Sequence, residues 1–172
     1  MQAFDDPVYV TRPSLPPLAD FVGGLEQIWD SRWMTNNGPL VRRLEDRIAA
    51  IQDAAEVVAF CNGTLALQIG LQVLDLSGSV ITTPFTFVAT THALFWNNLQ
   101  PIFSDIDPAT YNLDPTRIEE KITPETTAIL AVHIFGEPCD HHALADIARR
   151  HKLRLIYDAA HAFAVRDGGR GS

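Results

Sequence analysis

Apolar positions along this chain follow one rhythm up to about residue 53 and another after it. From Leu18 to Trp33 they recur at helical spacing, and this helix is entered from an extended arm in which Pro13, Pro16 and Pro17 restrict the backbone. The helix is expected to end near Asn36-Asn37-Gly38. Pro39 suits the first turn of a second helix, along which Leu40, Leu44, Ile48 and Ile51 form an apolar stripe. Beyond that the apolar residues gather into short blocks. Strands are predicted over Glu56–Cys61, Ser79–Thr82, Gln100–Ser104, Thr127–His133 and Leu153–Tyr157. Helices are predicted between them over Leu65–Leu74, Phe85–Trp96, Pro115–Lys121 and His141–His151. Asp107–Asp114 is a turn-rich link, and the tail Asp167–Ser172 reads as a loop. Short strands with few alternating charges, separated by helices, predict an α/β protein with a parallel sheet covered on both faces. A chain that stops in a glycine-rich loop just after its last strand reads as cut rather than finished.

The longest apolar runs, Ala54–Cys61 and Ala128–Phe135, read as buried strands. Neither approaches the roughly 20 residues of a bilayer-spanning helix. Apolar residues make up 47% of the chain and charged residues 20%, which points to a globular state rather than disorder. Asp plus Glu outnumber Lys plus Arg by 21 to 13, for a net charge of −8. With no basic cluster, the chain is a poor match for nucleic acid or for an anionic membrane surface. Met1–Pro7 lacks the pattern of a secretory signal. Cys61 and Cys139 are too few for a disulfide framework, so the cytoplasm is the expected compartment.

Open parallel sheets bind ligands beyond the carboxyl ends of their strands, and three loops there carry candidate chemistry. In Asn62-Gly63-Thr64 the glycine lets a ligand approach the backbone, and free amides at a helix start favour an anion such as phosphate. The same residues also make a tight turn with a Thr cap. In Thr83-Pro84-Phe85-Thr86-Phe87 one ring is free to stack on a planar ligand, or both rings belong to the core. In Tyr157-Asp158-Ala159-Ala160-His161 an Asp directly after an apolar strand needs a cationic or hydrogen-bonding partner, which a protonated heterocycle supplies, with His161 donating to an oxygen of the same ring. The other reading is an Asp that caps a following helix. Cys139-Asp140-His141-His142 invites a metal, but neighbours on a helix face different ways, and Asp140 is a natural N-cap, so no metal is expected. Glu119-Glu120 reads as a solvated helix face. No Walker or dinucleotide glycine pattern is present.

Together these segments resemble the DegT/StrS-type sugar aminotransferases. The resemblance is carried, in order, by Arg12-Pro13-Ser14-Leu15-Pro16, Thr35-Asn36-Asn37-Gly38-Pro39-Leu40, Asn62-Gly63-Thr64-Leu65-Ala66-Leu67, Thr83–Thr91, Phe103-Ser104-Asp105-Ile106-Asp107, His133-Ile134-Phe135-Gly136 and Tyr157–Ala162. It implies the three-layer, aspartate-aminotransferase-like fold of pyridoxal 5'-phosphate (PLP) enzymes. Residues 1–50 would form an N-terminal arm and helices, and residues 51–172 part of the PLP-binding large domain, with the C-terminal small domain absent. Gly63 and Thr64 would hold the cofactor phosphate, Phe87 would lie on the pyridine ring, Asp158 would pair with the ring nitrogen, and His161 would contact the ring's 3-oxygen. Asn36, Asn37 and Gly38 would lie near the sugar. A homodimer is implied, since two subunits complete each site in the family. So is an enzyme that moves an amino group from an amino-acid donor, glutamate by expectation, to a nucleotide-linked 4-keto-6-deoxyhexose in amino-sugar or surface-polysaccharide biosynthesis.

One departure stands out. The family's lysine, which carries the cofactor as a Schiff base, lies past Ser172. The two lysines here, Lys121 and Lys152, sit on or beside helices away from the three loops. The chain alone is therefore expected to be inactive. Two alternatives stay open: a PLP-dependent sugar dehydratase, in which histidine replaces the lysine, and a non-catalytic α/β binding module.

Overall fold

The computed structural model describes Tyr9, residues 12–167 and residues 170–171, so most of the expected N-terminal arm lies outside the described residues. The chain forms two compact units, Met1–Leu44 and Glu45–Ser172.

The first unit contains helix α1, Leu18–Ser31, which begins directly after Pro17 and stops where Arg32 turns left-handed at φ 56°. In the loop that follows, the indole Nε1 of Trp33 donates to the carbonyl of Asn36 at 3.3 Å. The Arg42 guanidinium donates to Asn37 Oδ1 at 3.1 Å and lies over the Trp33 ring. Helix α2, Pro39–Gln52, carries the chain into the second unit. Neither helix buries a residue, and Phe21, Leu25 and Trp29 of α1 are exposed.

The second unit alternates helices and strands: α3 (Gly63–Val73), β1 (Ser79–Thr82), α4 (Val88–Trp96), β2 (Gln100–Phe103), β3 (Thr126–Val132), α5 (His141–His151) and β4 (Arg154–Asp158). The strands form one parallel sheet in the order β2-β1-β3-β4. Successive strand residues point to opposite faces, and this sorts the core into two layers. Val80, Ala128 and Leu130 meet Leu71 of α3 and Ala93 and Leu94 of α4. Ile81, Ile129 and Ala131 meet Leu144, Ile147 and Ala148 of α5 on the other face. The sheet is thus covered on both sides, and its carboxyl ends open toward one set of loops.

Several expectations need correction. Glu56–Cys61 is not a buried strand: the segment joins no ladder among the described residues, and Val58 is 68% exposed. The segment is β-prone in composition, but a strand also needs a neighbour. It is held instead by the Ala59 amide, which donates to the Glu45 carboxylate at 2.8 Å. Helix α4 starts at Val88, not Phe85, because the Thr83 hydroxyl accepts from the Phe85 amide and makes the preceding residues a turn. Pro115–Lys121 is two single turns of 3-10 helix, Pro115–Arg117 and Glu119–Lys121. Within the tail, β5 (Arg166–Asp167) pairs antiparallel with β6 (Arg170–Gly171) rather than forming open loop throughout.

Two glycines give opposite expectations. Gly78 sits at φ +74°, and a Cβ there would lie 2.3 Å from the Glu125 carbonyl oxygen. Gly70, inside α3, would direct a Cβ into open space. Gly78→Ala is expected to destabilise the protein by more than about 1 kcal/mol, and Gly70→Ala to stabilise it by about 0.5–1 kcal/mol. Chemical denaturation of the two variants beside the parent checks both signs.

Candidate active site

A cavity of about 220 Å³ opens beyond the carboxyl ends of the strands, and Gly63, Thr64, Phe87, Asp158 and His161 all line it. The residues singled out from three separate loops are therefore neighbours in space.

The first wall is the start of α3. Asn62, extended at φ −162° and ψ 163°, caps the helix: its Oδ1 accepts from the Leu65 amide at 2.9 Å. This replaces the Thr cap. Gly63 and Thr64 fall in the first helical turn, where amides have no intrahelical acceptor and carry the positive end of the helix dipole. A Cβ on Gly63 would meet nothing within 4 Å, so its backbone is open to close approach.

The second wall is the loop after β1. Phe87 directly precedes α4; the residue is 69% exposed and lines the cavity. Phe85 does not line the cavity. Its ring packs against Tyr111 and Phe135 at centroid distances of 5.8 and 6.2 Å. Neither ring is core, as one of the two readings had it.

The third wall is the end of β4. Asp158 is buried, and its carbonyl accepts from the His133 amide at 3.1 Å, which ties it to the sheet. Its Oδ1 accepts from the Ala160 amide at 3.1 Å, and its Oδ2 from the Thr90 hydroxyl at 2.9 Å. It caps no helix, because the chain continues through turns at 160–164. Both donors are neutral, which leaves a partly desolvated carboxylate with lone pairs free for a cationic donor. His161 is exposed, and its Nδ1 accepts from the Phe135 amide at 3.4 Å. An accepting Nδ1 leaves the proton of a neutral ring on Nε2, a donor.

Sequence reading missed two members of this cluster. Thr86 lines the cavity, and its hydroxyl lies 2.9 Å from that of Thr90, which is fully buried. Their four-residue spacing at the start of an apolar helix was the available signal. Asn36, Asn37 and Gly38 belong to the first unit, in the loop described above.

Other candidates resolve differently. Asp140 caps α5 by accepting from the Ala143 amide at 3.0 Å, as expected. The Cys139 thiol donates to the Val132 carbonyl, and His141 Nδ1 lies 2.9 Å from the Tyr157 hydroxyl. No group of three or more His, Cys, Asp or Glu among the described residues could hold a metal ion. Glu119 is exposed but paired, with His151 at 2.7 Å and with Arg150. Those hydrogen bonds, that of His151 foremost, hold its carboxyl below the usual range. Lys121 lies 3.9 Å from Glu120, and Lys152 closes α5 in a left-handed conformation. Neither lysine lines the cavity. No helix among the described residues is long and apolar enough to cross a membrane.

Residues 19–172 match the DegT/DnrJ/EryC1/StrS aminotransferase family. The chain is 52% identical over 163 residues to a dTDP-4-amino-4,6-dideoxy-D-glucose transaminase of Shigella dysenteriae, covering 95% of this chain and 44% of that protein. It superposes on DesI, solved in the presence of its TDP-sugar product, with a TM-score of 0.92 and 44% identity over 98% of this chain and 43% of that one. It also resembles NtdA of Bacillus subtilis, solved with bound cofactor PMP, with a TM-score of 0.79 and 35% identity over 83% of this chain and 33% of that one. The chain thus spans less than half the length of these relatives.

Burial pushes the Cys139 thiol up to about 12, so it stays protonated in the folded protein near neutrality, whereas Cys61 is exposed. A thiol reagent at pH 8 is expected to modify Cys61 alone in native protein and both cysteines in denaturant. Peptide mass mapping reads the difference.

Proposed function

Because the chain belongs to the DegT/DnrJ/EryC1/StrS aminotransferase family, we propose that it is the amino-terminal share of a PLP-dependent nucleotide-sugar aminotransferase. Residues 1–50 supply the arm and first helices of that enzyme, and residues 51–172 part of its large domain. The observation that carries this reading is a buried carboxylate, Asp158, facing the same cavity as the open first turn of α3. An anion-binding helix start, an exposed ring and a carboxylate with only neutral partners fit a phosphorylated, protonated heterocycle.

When bound, the cofactor supplies an electron sink that lets an amino group pass from an amino acid, glutamate in this reading, to a keto sugar. Gly63 and Thr64 hold its phosphate through their amides and the Thr64 hydroxyl. Phe87 covers one face of its ring. Asp158 accepts the ring N–H and keeps that nitrogen protonated. The Nε2 proton of His161 is available to the ring's 3-oxygen. The Asn36-Asn37-Gly38 loop would lie near the sugar. Neither Lys121 nor Lys152 lines the cavity, so in this reading neither carries the cofactor. The substrate is a dTDP-linked 4-keto-6-deoxyhexose, which the naming of the Shigella relative supports. The exposed apolar residues of α1 suit a homodimer, and two scattered cysteines suit the cytoplasm.

The test takes the protein as its gene encodes it, supplied with PLP, glutamate and dTDP-4-keto-6-deoxyglucose. Mass spectrometry is expected to show a product with an amine in place of the ketone. Asp158→Asn is expected to lower kcat on the order of 100-fold. A protein that binds no PLP overturns the reading, and a product that has lost water replaces it with the dehydratase.

A further inference from the structure

Resting on that cofactor reading, we propose that Thr90 is a positioning residue which, through Thr86, fixes the hydrogen-bond polarity of the wall facing the cofactor's ring nitrogen. Each threonine hydroxyl has one hydrogen to give. Thr90 gives its hydrogen to Asp158 Oδ2, at 2.9 Å, since an ionised carboxylate can only accept. The 2.9 Å contact between the Thr86 and Thr90 hydroxyls then has one consistent direction, with Thr86 donating. Thr86 lines the cavity and, having given its hydrogen to Thr90, has only acceptor lone pairs left on its hydroxyl.

This leaves a wall that is acceptor-only at two points, Asp158 and Thr86. Such a wall rewards a ring that presents N–H and penalises one that presents a bare nitrogen lone pair or a carbon. The relay is also rigid. Thr90 is fully buried in α4, and its amide is held by the Phe87 carbonyl at 3.2 Å. Asp158 is pinned from the other side by the Ala160 amide. A hydroxyl chain that ends on a charge is polarised along its length, which strengthens each bond in it. Thr90 itself is fully buried and does not line the cavity, so it acts on the wall through the two residues it bonds, Asp158 and Thr86.

The experiment compares two ligands by equilibrium titration of the protein as its gene encodes it: PLP, and its analogue with carbon in place of the ring nitrogen. Thr90→Val keeps the volume and removes the hydroxyl, and Thr90→Ser keeps the hydroxyl. Thr90→Val is expected to weaken PLP about tenfold, leave the carbon analogue within about twofold, and regain PLP affinity as Thr90→Ser. Thr86→Val, at a half-buried position, is the second variant in case Thr90→Val fails to fold, and is expected to show a smaller loss, again confined to PLP. Equal losses for both ligands, or no loss in either variant, overturn the proposal while the cofactor reading stands. A parent protein that binds neither ligand overturns the cofactor reading and this proposal with it.

Discussion

A carboxylate drawn out of water at the end of a strand has to be met by donors, and the arrangement of this unit follows from how Asp158 meets that requirement. Its strand, β4, is held to β3 along five residue pairs, so the side chain has little freedom to seek solvent. One donor comes from two residues along the chain and the other from α4, 68 residues away in sequence. Losing either would leave a buried charge underpaired, at a cost of about 1–3 kcal/mol for the orphaned group. The packing of α4 and the geometry of the site are thus one constraint.

The parallel sheet makes this possible. Because β1, β3 and β4 run the same way, their carboxyl ends deliver the Thr83–Phe87 loop, the turn at 134–136 and the 159–165 segment to one edge. Layers of Leu71, Ala93 and Leu94 on one face and Leu144 and Ile147 on the other cover the sheet with apolar side chains. The polar groups of the site then come from the loops and from the element ends that border them, Asp158 closing β4 and Thr90 lying in the first turn of α4.

This division explains what could be read from the sequence. The alternation of apolar blocks and helix-period segments is a local property, and β1, β2, α5 and most of β3 and β4 were legible from it. The site loops were legible because Asn62-Gly63-Thr64 and Asp158 stand at block boundaries, where a residue's type is not explained by packing. Glu56–Cys61 was misread because pairing is not local: its composition says strand, but a ladder depends on a neighbour that no window of sequence reveals. The Thr90 contact was missed for a similar reason. A threonine among apolar residues at the start of a helix looks like filler until a carboxylate from a distant strand is set beside it.

The turn after β3 shows how strain is held in place near the site. Phe135 adopts φ 54°, a left-handed conformation unusual for a large side chain, and Gly136 follows at φ 84°. Such a residue costs on the order of 1–3 kcal/mol and persists only where its surroundings over-determine it. Asn112 provides that determination: buried, it accepts from the Ile134 amide at 2.9 Å and donates to the carbonyls of Glu137 and Pro138 at 3.0 and 3.2 Å. Its side chain therefore holds the turn on both flanks. The strained backbone points the Phe135 amide at His161 Nδ1, and a Cβ on Gly136 would come within 3.1 Å of the His161 carbonyl. A relaxed turn would leave that nitrogen without its donor and the ring without a fixed tautomer. Asn112 thus acts on the cavity through two intermediaries, and the left-handed Phe135 is what links it to His161.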